Sequence, residues 1–175
     1  QKALGGSKTD EARAIQQTLD GGFIVVGYTA SNDGDVSGNH GYYDVWVIKL
    51  SNAGVIQWQR TLGGSTGADW GYDIQLTNEG GYILVGETGS NDGDVTDYHG
   101  SIDFWVVKLN MNGQIEWQKA LGGSGIDSAR SICQTLDGGY AVVGVTGSGN
   151  NGDVSGVHGS FDFWLVKLTA TGIIK

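Results

Sequence analysis

Apolar positions fall in short runs separated by polar, glycine-rich segments, and the runs recur in a fixed order. Glu11–Thr18 sets Ala12, Ala14 and Ile15 among polar residues, which predicts a half-buried strand. Phe23–Thr29 and Asp44–Leu50 are nearly continuous apolar runs, the pattern of strands covered on both faces. Val55–Leu62 alternates Ile56 and Trp58 with Gln57 and Gln59, predicting a fourth strand. Leu19-Asp20-Gly21-Gly22 and Ser51-Asn52-Ala53-Gly54 supply tight turns, because Asp and Asn tolerate the left-handed region and Gly enters it without steric penalty. No window of 11 residues holds a helical period against this pattern.

The whole set returns twice more. Residues 1–58, 59–117 and 118–175 align almost residue for residue, at a period of 58 or 59. Leu4-Gly5-Gly6 reappears as Leu62-Gly63-Gly64 and Leu121-Gly122-Gly123, and His40, Trp46 and Lys49 reappear in both later units. A period this long makes each repeat one supersecondary unit that is stable only when stacked on its neighbours, so residues 1–175 are expected to form one domain. Repeats one and two end at Trp58 and Trp117, whereas repeat three ends at Ile173-Ile174-Lys175. Gln1-Lys2-Ala3-Leu4 is the segment that elsewhere follows the Trp. One strand is thus divided between the two ends. Closed repeat folds use such a division to leave no sheet edge open, and a piece of a longer array would show it too.

Composition narrows the class. Glycine contributes 32 residues and proline none, which fits many tight turns between short strands. No apolar run approaches the roughly 20 residues needed to cross a bilayer, so membrane insertion is not expected. The net charge is −9, and an acidic surface without a basic stripe repels phosphate backbones, so nucleic acid is not an expected partner. Cys133 is the only cysteine, and its counterparts Gln16 and Gln75 place it on a solvated strand face.

Four antiparallel strands per unit describe a propeller blade. The chain resembles the bacterial β-propeller repeats called SBBP, through Leu62-Gly63-Gly64-Ser65, Gln134-Thr135-Leu136-Asp137-Gly138-Gly139-Tyr140, Asn32-Asp33-Gly34-Asp35-Val36-Ser37-Gly38-Asn39-His40-Gly41 and Asp103-Phe104-Trp105-Val106-Val107-Lys108-Leu109. The resemblance implies an all-β, propeller-type fold of three four-stranded blades in a secreted or cell-surface protein, and no defined activity. Propellers have about 4 to 8 blades, and this chain has three units. Two copies closing a six-bladed ring, part of a longer propeller, or a threefold β-trefoil or β-prism each reconcile the count.

Candidate chemistry gathers in the long loop of each repeat. Asp33 and Asp35, Asp92 and Asp94, and Asn151 and Asp153 flank a glycine. Such alternating oxygens can wrap calcium, which takes about 6 to 8 oxygen ligands, or can bond their own backbone as Asx turns. The loop lacks the third acidic position and the distal Glu of an EF-hand. The three histidines, His40, His99 and His158, occupy one repeat position. On a threefold axis they can share zinc; around a propeller they lie apart and serve as turn residues or ligand contacts.

Asp44, Asp103 and Asp162 each precede a Trp by two residues and are expected to accept backbone N–H bonds at a strand start. Trp46, Trp105 and Trp164 read as core, while Trp58 and Trp117 alternate with polar residues and are candidates for ligand contact. Trp70 has no counterpart in the other repeats. No nucleophile–base pair or phosphate-cradling loop appears, so a non-enzyme is expected. The expectation is a non-catalytic interaction or scaffold module with protein or glycan partners. A lectin with one shallow site per repeat, or a structural subunit of a ring or filament, stands beside it.

Overall fold

The computed structural model describes residues Gln1–Lys175. It is all-β, and no helix is long and apolar enough to cross a membrane. The first sheet is a meander of β1 (Asp10–Gln17), β2 (Phe23–Thr29), β3 (Asp44–Leu50) and β4 (Ile56–Leu62). The second repeats it with β5 (Asp69–Leu76), β6 (Tyr82–Thr88), β7 (Asp103–Leu109) and β8 (Ile115–Leu121). The third has β9 (Asp127–Gln134), β10 (Tyr140–Thr146) and β11 (Asp162–Leu168). All pairings within the sheets are antiparallel.

The third sheet corrects one expectation, since it has three strands and not four. Gln59–Leu62 and Gln118–Leu121 form the C-terminal halves of β4 and β8, and nothing occupies that place beside β11. Only the start of a fourth strand is present, as the single bridge Leu168↔Ile174.

Each first strand carries a bulge, between Ala12 and Ala14 in β1 and between Gly71 and Asp73 in β5, with an irregularity of the same kind where β9 meets Val143 and Gly144. The bulge pushes a carbonyl against the neighbouring strand. A Cβ on Gly86 would lie 1.7 Å from the Trp70 carbonyl oxygen, and one on Gly27 would lie 1.8 Å from that of Glu11. Only glycine fits opposite the bulge.

The sheets stack in chain order, and the second is covered on both faces. Ile24, Val26, Val45 and Val47 of the first sheet pack on Ile74, Leu84, Trp105 and Val107 of the second. Ile83, Val85, Phe104 and Val106 on the second sheet's other face meet Ala129, Ile132, Val142 and Val166 of the third. This is why β6 and β7 read as unbroken apolar runs. Backbone bonds stitch the same boundaries. The Asp69 N–H donates to the Tyr43 carbonyl and the Asp127 N–H to the Ile102 carbonyl, both at 2.7 Å.

Trp58 and Trp117 belong to these boundaries. Trp58 lies 5.9 Å from the ring of Tyr82 and presses on Gly113, and Trp117 stands in the same relation to Tyr140 and Gly172. Both are half-buried between sheets. Trp46 and Trp105 are buried, and Cys133 is exposed, as their positions in the repeat predict.

Candidate functional site

The most concentrated chemistry lies where one sheet hands the chain to the next. Leu62 ends β4, and Gly63-Gly64-Ser65 turns toward β5. The acidic loop between β6 and β7 grips that turn. Asp94 Oδ2 accepts from the Gly63 N–H at 3.2 Å, and Asp92 Oδ1 accepts from the Ser65 N–H at 2.8 Å. Asp35 and Asp33 hold Gly5 and Ser7 in the same way, and Asp153 and Asn151 hold Gly122 and Ser124. These hydrogen bonds hold the Asp33 and Asp92 carboxyls below the usual carboxylate range; the main donors are the Ser7 N–H and the Ser65 hydroxyl.

The six loop residues therefore face N–H donors more than one another. No group of three or more His, Cys, Asp or Glu side chains is arranged around a common point that would hold a metal. The bonds run to the glycine turn of a different segment and not to the loop's own backbone, so the loop acts as a clamp on that turn.

Beneath each turn sits a second layer of carboxylates. Asp69, at the start of β5, accepts from the Thr88 hydroxyl on one oxygen and from the Gly64 N–H and Ser90 hydroxyl on the other. Asp10 and Asp127 have the same partners in their own sheets. Asp44, at the start of β3, accepts from the His40 N–H and contacts His40 Nδ1 at 2.9 Å, both through Oδ2. Its Oδ1 is buried with no hydrogen-bond partner, and the same is true of Asp103 Oδ1.

These two layers converge from different sheets. A Cβ on Gly63 would stand 2.4 Å from Asp69 Oδ2 and 3.2 Å from Asp44 Oδ1; one on Gly122 would meet Asp127 and Asp103. Burial pushes the Asp44, Asp69 and Asp103 carboxyls up. The neighbouring carboxylate adds to the rise at Asp69 and Asp103, whereas the His40 and His99 hydrogen bonds oppose it. Each boundary thus brings two carboxylates from different sheets together over a glycine, and at the first boundary both members, Asp44 and Asp69, are raised.

Asp162 shows what the boundary contributes. It accepts from the His158 N–H as its counterparts accept from theirs, and from the Gly159 N–H in addition, but no further sheet covers it. Those two donors hold its carboxyl below the ordinary range.

The histidines are not brought together. His40 and His99 each pair with the Asp four residues on, and His99 Nε2 also approaches Asp153 Oδ2 at 3.8 Å. Trp58 and Trp117 are remote from them: His40 precedes the start of β3, and Trp58 pairs with Lys49 near its far end. At seven residues β3 is about 20 Å long, so the proposed ligand contacts do not make one site.

At the Trp end a groove of about 290 Å³ is lined by Trp58, Tyr82, Met111, Asp20 and Gln57. Lys49 crosses its floor, donating to Asp20 Oδ2 at 2.8 Å and Gln57 Oε1 at 2.9 Å. Sequence reasoning passed over Asp69 and Asp127, although each recurs at a fixed place after the Gly-Gly pair. That recurrence was the available signal. No protein-family model matches this chain, and no curated protein matches it.

Proposed function

We propose that the chain is a non-catalytic, β-propeller-type interaction module of a secreted or cell-surface protein, related to the SBBP repeats. One observation carries this: the carboxylates most suited to chemistry are committed to the fold. Asp10, Asp69 and Asp127 each accept three hydrogen bonds, one from the Gly-Gly turn they support and two from the Thr and Ser hydroxyls at the end of the second strand, and the acidic loops clamp the turn from outside. Identical residues repeated at each boundary serve a scaffold better than they serve a single catalytic cleft, where two carboxyl groups need different environments. Antibody labelling of intact producing cells tests the location. Surface signal is expected, and signal seen only after permeabilisation would overturn it.

The Trp58 groove favours a second reading, a repeat lectin. An aromatic face beside a carboxylate and an amide offers a sugar both an apolar platform and hydroxyl partners. A glycan array decides between the two. Binding that Trp58→Ala abolishes would establish the lectin, and silence would leave the protein-interaction module.

A further inference from the structure

The edge of β11 and the N-terminal segment are halves of one structure. In the second sheet, Gln118-Lys119-Ala120-Leu121 pairs with β7 in the register Val107↔Gln118, Val106↔Lys119, Trp105↔Ala120 and Phe104↔Leu121. The counterparts of those β7 residues are Phe163, Trp164, Leu165 and Val166, and β11 is an edge strand with no ladder partner there. Gln1-Lys2-Ala3-Leu4 is identical in sequence to Gln118–Leu121, belongs to no strand and is exposed over its first three residues.

The N-terminal segment is already placed as the end of a preceding sheet. Gly5, Gly6 and Ser7 donate to Asp35, Asp10 and Asp33, just as Gly63, Gly64 and Ser65 donate to Asp94, Asp69 and Asp92. Leu4 packs beside Trp46 and Ile48, where Leu62 packs beside Trp105 and Val107 in the next unit.

The faces match as well. Phe163 is 76% exposed and Leu165 61%, while Phe104 and Val106 at the same positions are fully buried against the following sheet. On the first sheet Ile15 is 59% exposed, and its counterpart Ile74 is fully buried against the preceding sheet. Each open face has the pattern of a face that is covered inside the same molecule.

We propose that Gln1–Leu4 of one copy adds to β11 of a second copy, with Lys2 opposite Leu165, and that two copies close a six-bladed ring through two such seams. The second copy is the occupant because the tetrapeptide, its register and both apolar faces are those of the internal boundaries. Strand addition satisfies the open ladder groups of β11 and covers Phe163 and Leu165. Each copy offers both halves, so the contact is head to tail, and it closes as a ring of two if three units turn the chain through half a circle. Docking also sets Asp162 and His158 of one copy over Asp10 of the other, completing a carboxylate pair that neither copy holds alone. The assembly rests on the propeller-type reading, but its test does not use location or glycan binding.

Light scattering on the 175-residue chain at about 50 µM should give twice the 18.4 kDa chain mass. Leu165→Lys, at a position exposed in the single chain, should halve that mass and leave the far-ultraviolet circular dichroism unchanged. A Lys2→Cys, Leu165→Cys variant in a Cys133→Ser background should form a covalent dimer on mild oxidation. A monomeric wild-type chain would overturn the proposal. So would a ladder of larger masses, or a disulfide closed within one chain.

Discussion

Asp44 and Asp69 come from different sheets, and their carboxylates meet over Gly63, one of them with an oxygen that has no hydrogen-bond partner. Burial raises both carboxyls above the ordinary 3.8. Between 3.8 and the raised values the native state binds more protons than the unfolded chain, so this pair loses stability as pH rises. Asp44→Asn keeps the acceptor for the His40 N–H and supplies an amide donor toward Asp69. Above the window it is expected to stabilise the protein by about 1–3 kcal/mol, with the gain shrinking toward pH 3. Urea unfolding at pH 4 and pH 8 measures this, and an equal loss at both values would refute the pairing.

Gly86 faces the β5 bulge with no room for a side chain. Gly86→Ala drives a methyl group into the Trp70 carbonyl and is expected to cost about 3 kcal/mol or more. Gly54 has open space around it and a φ of +74°, so Gly54→Ala should cost only about 1 kcal/mol of backbone strain. Thermal unfolding of the two variants gives the comparison; equal losses would mean that the bulge is not the constraint.

Tyr140 is enclosed at the boundary of the second and third sheets, and burial pushes its hydroxyl up to about 12. An unfolded tyrosine ionises near 10, so stability is lost as pH rises from about 10 to 12. Tyr28, Tyr72, Tyr82 and Tyr98 are raised as well, so absorbance at 295 nm should show a late tyrosine phase that Tyr140→Phe reduces by one residue's amplitude. A wild-type titration complete by pH 11 would contradict the burial.

Much of this fold was legible from periodicity. Phe23–Thr29 and Asp44–Leu50 have the bounds their sequences predict, because a strand covered on both faces has little freedom in composition. The first strand was weaker, since Ile15 and its neighbours lie on an open face in the first unit and their burial shows only at Ile74. The candidate site was half legible. Acidic loops and histidines stood out by residue type. The partners Asp69 and Asp127 did not, because their role depends on a contact between sheets about 25 residues away in sequence, and a lone Asp before a strand looks like any loop residue.

The acidic loop offers a test between turn and calcium site. Asp92 accepts from the Ser65 hydroxyl and the Ser65 and Thr66 N–H groups, and these hold its carboxyl low. That contribution is present above pH 3.8 and lost as the pH falls below it. Asp92→Ala is expected to lower the melting temperature by the same few degrees in calcium and in chelator. A wild-type protein that chelator destabilises, with the difference gone in Asp92→Ala, would establish calcium in the loop.

Each carboxylate pair takes one member from the unit before the boundary and one from the unit after it. The number of complete pairs is therefore set by how units are joined and not by how many are present. A row of units held in a line always has one fewer pair than it has units, and a circle has as many. Duplicating a unit adds a pair without a new residue being invented, and excising one removes a pair while leaving every remaining unit intact in sequence. Any property that resides in the pairs would be inherited through copy number and closure, where comparison of single units would miss it.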